Sequence, residues 1–178
     1  MSRSQTPLPP ALARRYPVLI VASARGHEED VILHSAEGVM RALEDHDLAV
    51  ELAGSLDDAQ IALLSNPAYC CVILGWGLCE QDLHKAQQVV RLIRLRTAQL
   101  PLLLGITQAH HHRVPLAFVE QMDGFIWLPE DSPAFIAGRI AAAARRYLDS
   151  ILPPFFGALV NFADTCEYSW HTPGHTGG

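Results

Sequence analysis

Short apolar runs alternate with segments of helical period along the chain, and this alternation most restricts the possible folds. The first run, residues 18–22, is continuous and β-branched, which is typical of a strand buried on both faces of a parallel sheet. The next segment repeats apolar side chains every three or four positions, which predicts an amphipathic helix of about four turns. Its apolar positions are Ile32, Ala36, Val39, Met40 and Leu43.

The same pattern continues to about residue 150. Further strands are predicted over residues 48–52, 69–74, 101–106 and 124–128. A second helix is predicted to start at Ser55, with Asp57 and Asp58 in its first turn, and to end at Asn66-Pro67. A third helix is predicted on the apolar residues Ala86, Val89, Val90 and Ile93, with Lys85, Arg91 and Arg94 on its other face.

Two more helices complete the pattern. Residues 114–122 predict a short helix, and residues 133–150 a long one with Ser132 as N-cap and Pro133 in its first position. The long helix is expected to bury Ile136, Ile140, Ala144, Tyr147 or Leu148, and Ile151, and to turn Arg139, Arg145 and Arg146 outward. Five strand–helix units predict an α/β fold with a doubly wound, flavodoxin-like, parallel five-stranded sheet, in the order 2-1-3-4-5 by analogy.

Composition and charge exclude several classes of protein. Hydrophobic residues make up 49% of the 178 residues, which is enough for one domain-sized core. The net charge is −6 with no basic block, which argues against nucleic acid or an anionic membrane as partner. Because no apolar run is long enough for a membrane span and no secretory signal begins the chain, we expect a cytoplasmic protein.

The cysteines and serines give no sign of a nucleophilic enzyme. Cys70, Cys71, Cys79 and Cys166 form no CxxC pair, so buried thiols in a reducing compartment are expected. Cys79 and Cys166 have no base nearby in sequence, and Ser169 lacks the G-x-S-x-G setting of a hydrolase.

Doubly wound folds bind ligands at the carboxyl ends of their strands. Glu28, Glu29 and Asp30 follow the first strand and would repel a phosphate, so an FMN site is not expected and the three acids are interpreted as partners of a helix dipole. The segment Gly75-Trp76-Gly77 lacks the third glycine of a dinucleotide loop and is interpreted as a turn.

The histidines predict no metal site. Residues 110–112 are three adjacent histidines that cannot all face one ion, and they are interpreted as a solvated loop whose charge could vary with pH near neutrality. His171 and His175 are four residues apart, but Pro173-Gly174 between them interrupts any helix that would align their rings.

The unit lengths and the strand around residues 100–107 resemble the receiver domain of response regulators. A receiver requires a phosphoacceptor aspartate at the end of the third strand and a lysine at the end of the fifth. This chain has Leu74-Gly75-Trp76 and Trp127-Leu128-Pro129 at those places, so no aspartyl phosphate can form. The resemblance therefore implies at most a pseudo-receiver that packs or binds a partner.

The end of the chain carries the most specific motif. Residues 152–156 read Leu-Pro-Pro-Phe-Phe, and after a spacer come Trp170, His171, Pro173, Gly174, His175, Gly177 and Gly178. This order resembles the passage from the N-terminal domain into the PLP-binding core of the bacterial Orn/Lys/Arg decarboxylases. The N-terminal "wing" domain of that family is itself a flavodoxin-like, receiver-related fold without phosphorylation chemistry, which agrees with the pattern of residues 17–150.

The resemblance implies a truncated member of this family of fold-type-I PLP enzymes. Residues 1–16 would be a leader, residues 17–150 the wing, and residues 151–178 the linker and the beginning of a missing core. The parent enzymes decarboxylate ornithine, lysine or arginine, in polyamine synthesis or under acid stress, through a lysine Schiff base. The sole lysine, Lys85, is expected on a solvated helix face, so we expect no catalytic, metal-binding or cofactor-binding residue and no PLP on this chain alone.

Three hypotheses for the function follow. The first is the wing and linker of such a decarboxylase, with a structural, oligomerisation or regulatory role and other subunits of a homo-oligomer as partners. In that case Leu152, Phe155, Phe156 and Trp170 are expected to be exposed and to promote self-association. The alternatives are a stand-alone pseudo-receiver interaction module without a phosphoacceptor Asp, and a small flavin or nucleotide binder.

Overall fold

The computed structural model describes residues 15–22, 27–66, 68–75, 80–107, 112, 114–128 and 130–152. Strands and helices alternate throughout, as predicted. In chain order they are β1 (Val18–Val21), α1 (His27–Glu44), β2 (Val50–Ala53), α2 (Leu56–Ser65), β3 (Cys71–Gly75), α3 (Glu80–Arg96), β4 (Leu102–Ile106), α4 (Leu116–Val119), β5 (Gly124–Trp127) and α5 (Pro133–Ile151).

The five strands form one parallel sheet in the order β2-β1-β3-β4-β5. This confirms both the predicted fold class and the predicted strand order. The three inner strands, β1, β3 and β4, are buried along their whole length, whereas β2 and β5 are partly exposed. The continuous apolar runs therefore belong to the strands covered by helices on both faces.

Helices cover both faces of the sheet. Helices α1 and α5 pack against each other on one face, and α2 packs against α3. Right-handed crossovers place α2 and α3 on the face opposite α1. In the described part of the chain, none of the helices combines the length and the hydrophobicity needed to cross a bilayer.

Local signals define the helix ends. The Ser55 hydroxyl accepts a hydrogen bond from the Asp58 amide at 3.0 Å, and the Ser132 hydroxyl accepts one from the Phe135 amide at 3.3 Å. Pro133 stands at the start of α5, where a missing N–H costs nothing. These N-caps and the end of α2 at Asn66 confirm the boundaries predicted from the sequence.

The structure corrects the sequence-based predictions at several places, and strand β3 begins at Cys71 rather than at residue 69. Strand β2 begins two residues later than predicted, because a turn with Asp47 at φ 57° brings the Leu48 amide back to the Leu43 carbonyl. Helix α4 is a single turn rather than residues 114–122. Ile151 is 39% exposed rather than buried, since the 19-residue α5 is longer than the four-residue and five-residue strands it covers.

Leu152 also differs from the expectation of an exposed side chain. It follows α5 directly, is half-buried and packs against the core. Its amide donates to the Leu148 carbonyl at 2.9 Å, which continues the helical path for one more residue and turns the side chain inward. The other apolar residues of that expectation, Phe155, Phe156 and Trp170, lie outside the described residues.

Candidate functional site

A small apolar cavity lies at the carboxyl ends of the strands, where doubly wound folds bind their ligands. Strands β1, β3 and β5 and helices α1 and α5 contribute its walls. The lining residues are Ile20, Val21, Ala22, Ala36, Val39, Ile73, Gly75, Ile126, Leu128 and Ile136. None of these residues carries a polar side chain, so the described lining of this cavity offers no group that could move a proton or hold an ion.

The positions that carry chemistry in receiver domains hold small or apolar residues here. Gly75 ends β3 and is paired in register with Gly105 of β4. A Cβ atom on Gly105 would lie 3.2 Å from Leu128 Cδ1 and 3.7 Å from Gly75 Cα. The backbones and Leu128 thus fill the space at the ends of β3 and β5. Trp76, Gly77 and Pro129 lie outside the described residues.

Lys85 forms an ion pair between two helices. Its Nζ lies 2.7 Å from Asp57 Oδ2, and the two side chains are 45% and 63% exposed. Schiff-base chemistry requires a neutral amine that faces a bound cofactor. An ammonium held at the surface by a carboxylate does not meet that requirement, and the described residues around Lys85 do not fit PLP.

Cys70 and Cys71 are buried thiols, as predicted. Burial raises the pKa of the Cys70 thiol to about 12, and burial raises the pKa of Cys71 well above its ordinary value. The thiolate is the reactive form of cysteine, so both residues act as small core side chains and not as nucleophiles. Cys79, Cys166 and Ser169 lie outside the described residues.

Other residues singled out from the sequence are only partly placed. Glu28, Glu29 and Asp30 belong to the first turn of α1, which is the position that the dipole interpretation requires. His112 is exposed, whereas His110 and His111 lie outside the described residues. The same holds for the whole C-terminal motif, Trp170, His171, Pro173, Gly174, His175, Gly177 and Gly178.

Three large apolar side chains are exposed near one edge of the sheet. Leu52 of β2 is 41% exposed, and Ile61 and Leu64 of α2 are 63% and 60% exposed. Leu52 and Ile61 line a groove between β2 and α2. We call these three residues the β2–α2 patch. Because α2 buries Ala59 and Leu63, the helical period could have identified Ile61 and Leu64 as outward-facing.

The patch borders an open strand edge. Among the described residues, strand β2 pairs only with β1, so one row of its backbone N–H and C=O groups faces away from the sheet. Edges of this kind pair readily with another strand unless charge, proline or a covering element prevents it. Exposed apolar residues beside an unpaired edge are the features of a contact surface.

Two arginines that were predicted to point outward are partly buried. Arg94 is only 24% exposed, and its guanidinium donates to the carbonyls of Ala98, Leu100 and Gln121 and to the Asp123 carboxylate. Arg145 is half-buried, whereas Arg139 and Arg146 are exposed as expected. The helical period identified the faces, but Arg94 reaches partners contributed by a later segment of the chain.

Sequence comparisons with known proteins agree on one family, the Orn/Lys/Arg decarboxylases. The family model for the Orn/Lys/Arg decarboxylase N-terminal domain matches residues 34–147. The biodegradative arginine decarboxylase of Escherichia coli is 35% identical over 163 residues, which cover 90% of this chain and 22% of that protein. The lysine decarboxylase LdcA of Pseudomonas aeruginosa is 33% identical over 171 residues, 92% of this chain and 22% of that protein. The chain therefore spans about a fifth of the length of these relatives.

Solved structures show the same two similarities that the sequence indicated. Lysine decarboxylase A from Pseudomonas aeruginosa superimposes with a TM-score of 0.65 at 30% identity, over 92% of this chain and 22% of that one. A response regulator receiver domain from Clostridium thermocellum superimposes with a TM-score of 0.53 at 17% identity, over 74% of this chain and 95% of that one. The second similarity concerns the fold alone.

Proposed function

Because the chain belongs to the family of Orn/Lys/Arg decarboxylase N-terminal domains, we propose that it is the wing and linker portion of a PLP-dependent basic amino acid decarboxylase. The match over residues 34–147 carries this proposal. In it, residues 1–16 form a leader, residues 17–150 the wing, and residues 151–178 the linker and the start of the PLP-binding core. The substrate of the whole enzyme would be ornithine, lysine or arginine, and its location the cytoplasm.

The proposal assigns catalysis to the core and not to the wing. The apolar cavity at the carboxyl ends of the strands supports this assignment, because the described residues that line it supply no acid, base or nucleophile. The ion pair of Lys85 with Asp57 supports it as well. The core, and not this chain, would hold the PLP, which would supply an electron sink for decarboxylation. The motif from Trp170 to Gly178 would mark the entry into that core.

The wing itself would act through contacts. The β2–α2 patch presents Leu52, Ile61 and Leu64 beside the open edge of β2, and we assign it to a contact with another subunit of the same protein. A strand edge can pair with its own copy about a two-fold axis, which is the commonest symmetry of homo-oligomers. The patch would then place one wing against the next while the cores carry out the reaction.

A stand-alone pseudo-receiver module is the second candidate, and the fold similarity to a receiver domain favours it. The two candidates differ in what the chain does when it is joined to a decarboxylase core. The decisive experiment is a chimera in which this chain replaces the matching N-terminal part of Pseudomonas aeruginosa LdcA. The matched control carries the Clostridium thermocellum receiver domain in the same place.

We expect the first chimera to decarboxylate lysine and to sediment with the same size as LdcA. The receiver chimera should fail to assemble, since it shares the fold but not the family's surface residues. A first chimera that is folded by circular dichroism but sediments as a smaller species would contradict the proposed wing role. The 178-residue chain alone, supplied with PLP and each basic amino acid, should show no bound-PLP absorbance band and release no CO₂.

A further inference from the structure

A polar groove of about 300 Å³ lies between α5 and the amino ends of β4 and β5. It lies at the opposite end of the strands from the apolar cavity. One wall is the stripe Arg139, Ala143 and Arg146 of α5, whose spacing of four and three residues places all three on one face of the helix. Leu103 of β4 and Asp123 contribute the facing wall. We call this the α5 groove, and it has a volume typical of small-molecule sites.

The α5 groove carries positive charge on an acidic protein. Within the described residues, neither Arg139 nor Arg146 forms an ion pair. Arg139 donates from Nη1 to the Phe125 carbonyl at 2.6 Å, which orients the guanidinium without neutralising it. The net charge of the whole chain is −6. The two guanidinium groups therefore make this concave surface locally positive, although the protein as a whole is negatively charged.

The acid of the groove does not cancel this charge. Asp123 Oδ2 accepts hydrogen bonds from Arg94 Nη2 at 2.9 Å and from the Leu102 amide at 2.8 Å. Its charge is thus already matched by Arg94, which does not line the groove. Arg139 and Arg146 remain as the charges that an incoming ligand would meet.

The spacing of the two arginines indicates the shape of the ligand. Arg146 follows Arg139 by seven positions, which is a rise of about 10 Å along the helix. Ala143 lies between them on the helix face, and Leu103 of β4 is a second apolar residue of the lining, which also includes Gln99, Pro101, Tyr147 and Ser150. Guanidinium groups pair best with planar carboxylates or with phosphates through two parallel hydrogen bonds.

From this arrangement we infer that the α5 groove binds an extended aliphatic dicarboxylate, with one carboxylate on Arg139, the other on Arg146, and the alkyl chain over Ala143 and Leu103. A monocarboxylate would use only one arginine. A compact anion such as pyrophosphate would leave Ala143 and Leu103 without an apolar partner. This inference is independent of the proposed decarboxylase role.

The test is isothermal titration calorimetry of the full 178-residue chain with suberate, octanoate and pyrophosphate. We expect saturable binding of suberate at one site, and binding of octanoate and pyrophosphate that is weaker by about tenfold or more. Arg146→Gln should weaken suberate binding by about the same factor. This variant disturbs no hydrogen bond within the described residues, whereas Arg139→Gln would also lose the bond to Phe125.

The matched control is Arg91→Gln, which removes the same charge from an exposed position on α3 outside the groove. It should leave the affinity for suberate unchanged. Absence of suberate binding, equal affinity for octanoate or pyrophosphate, or equal losses in Arg146→Gln and Arg91→Gln would each overturn the inference. Filling the groove with Ala143→Leu should abolish binding, and a retained affinity would likewise overturn it.

Discussion

The guanidinium of Arg94 lies 2.9 Å from the carboxylate of Asp123 and joins the end of α3 to the segment that enters β5. The same guanidinium donates to the carbonyls of Ala98 and Leu100 in the loop before β4. Asp123 in turn accepts the Leu102 amide at 2.8 Å. One arginine therefore holds the loop that precedes β4 and the loop that precedes β5 against each other at the amino edge of the sheet.

Replacing Arg94 should destabilise the domain by more than the loss of a surface charge. Arg94→Ala leaves three carbonyls and the Asp123 carboxylate without this donor, and we expect it to lower the free energy of unfolding by about 2 kcal/mol. Urea denaturation measures the change. Arg91 lies on the exposed face of the same helix, and Arg91→Ala should change the free energy of unfolding by less than about 0.5 kcal/mol. Equal effects of the two substitutions would contradict this role of Arg94.

Replacement by alanine should change the free energy of unfolding in opposite directions at two glycines. A methyl group on Gly105 would meet the buried Leu128 at 3.2 Å, so Gly105→Ala is expected to destabilise by about 1–3 kcal/mol. Gly138 in α5 has open space around the added Cβ, and Gly138→Ala should stabilise by about 0.5–1 kcal/mol, because alanine favours the helix. Thermal unfolding of both variants tests the pair, and a destabilised Gly138→Ala would contradict the second prediction.

Stability should fall in mild alkali because of the buried thiols. Burial raises the pKa of Cys70 from the ordinary 9.0 to about 12 and also raises the pKa of Cys71. As the pH rises above 9, the unfolded chain releases these protons first. The contribution of the thiols to the free energy of unfolding is therefore complete below pH 9 and is lost as the pH rises above it. The free energy of unfolding should fall with a slope approaching about 1.4 kcal/mol per pH unit for each thiol.

Urea denaturation between pH 8 and about 10 measures this slope, below the range in which tyrosines dominate the titration. Cys70→Ala removes one of the two thiols and should reduce the slope, even if the variant is less stable at neutral pH. A slope that is unchanged in Cys70→Ala would show that the thiol does not carry the effect. In native protein, both thiols should also react slowly with iodoacetamide.

The β2–α2 patch should govern self-association of the chain. Replacing Ile61 and Leu64 together by serine removes two exposed apolar side chains from α2 and should lower the weight-average sedimentation coefficient at high protein concentration. Leu116→Ser is the control, since Leu116 is 70% exposed but lies on α4. If Leu116→Ser has the same effect as the double substitution, association is a general consequence of exposed apolar surface and the patch has no special role.

Much of the fold could be predicted because its signals are local. The caps Ser55 and Ser132 bond to amides three residues ahead, and Pro133 restricts its own backbone, so the starts of α2 and α5 depend only on neighbours in sequence. The apolar runs of β1, β3 and β4 are equally local. The absence of an aspartate at the end of β3 could also be read directly from the residues.

The candidate contact surfaces could be predicted less well. Helical period separates Ile61 and Leu64 from the buried Ala59 and Leu63, but the proximity of Ile61 to Leu52 depends on how α2 packs over β2. Nothing local distinguishes Arg146, which lines the α5 groove, from Arg145, which is half-buried beside it. A groove is formed by residues from several elements, and its existence follows from packing.

The sequence by itself determined the alternation of strands and helices, the helix starts and the lack of an aspartate at the end of β3, because periodicity, capping and residue identity act within a few positions. Only the tertiary structure decided that Arg94 turns inward, that Lys85 meets Asp57, and that Ile151 is exposed while Leu152 is not. Asp123 lies 29 residues after Arg94, and Asp57 lies 28 residues before Lys85. Such contacts exist only after the sheet has brought distant segments together, since polar groups find their partners in space and not along the chain.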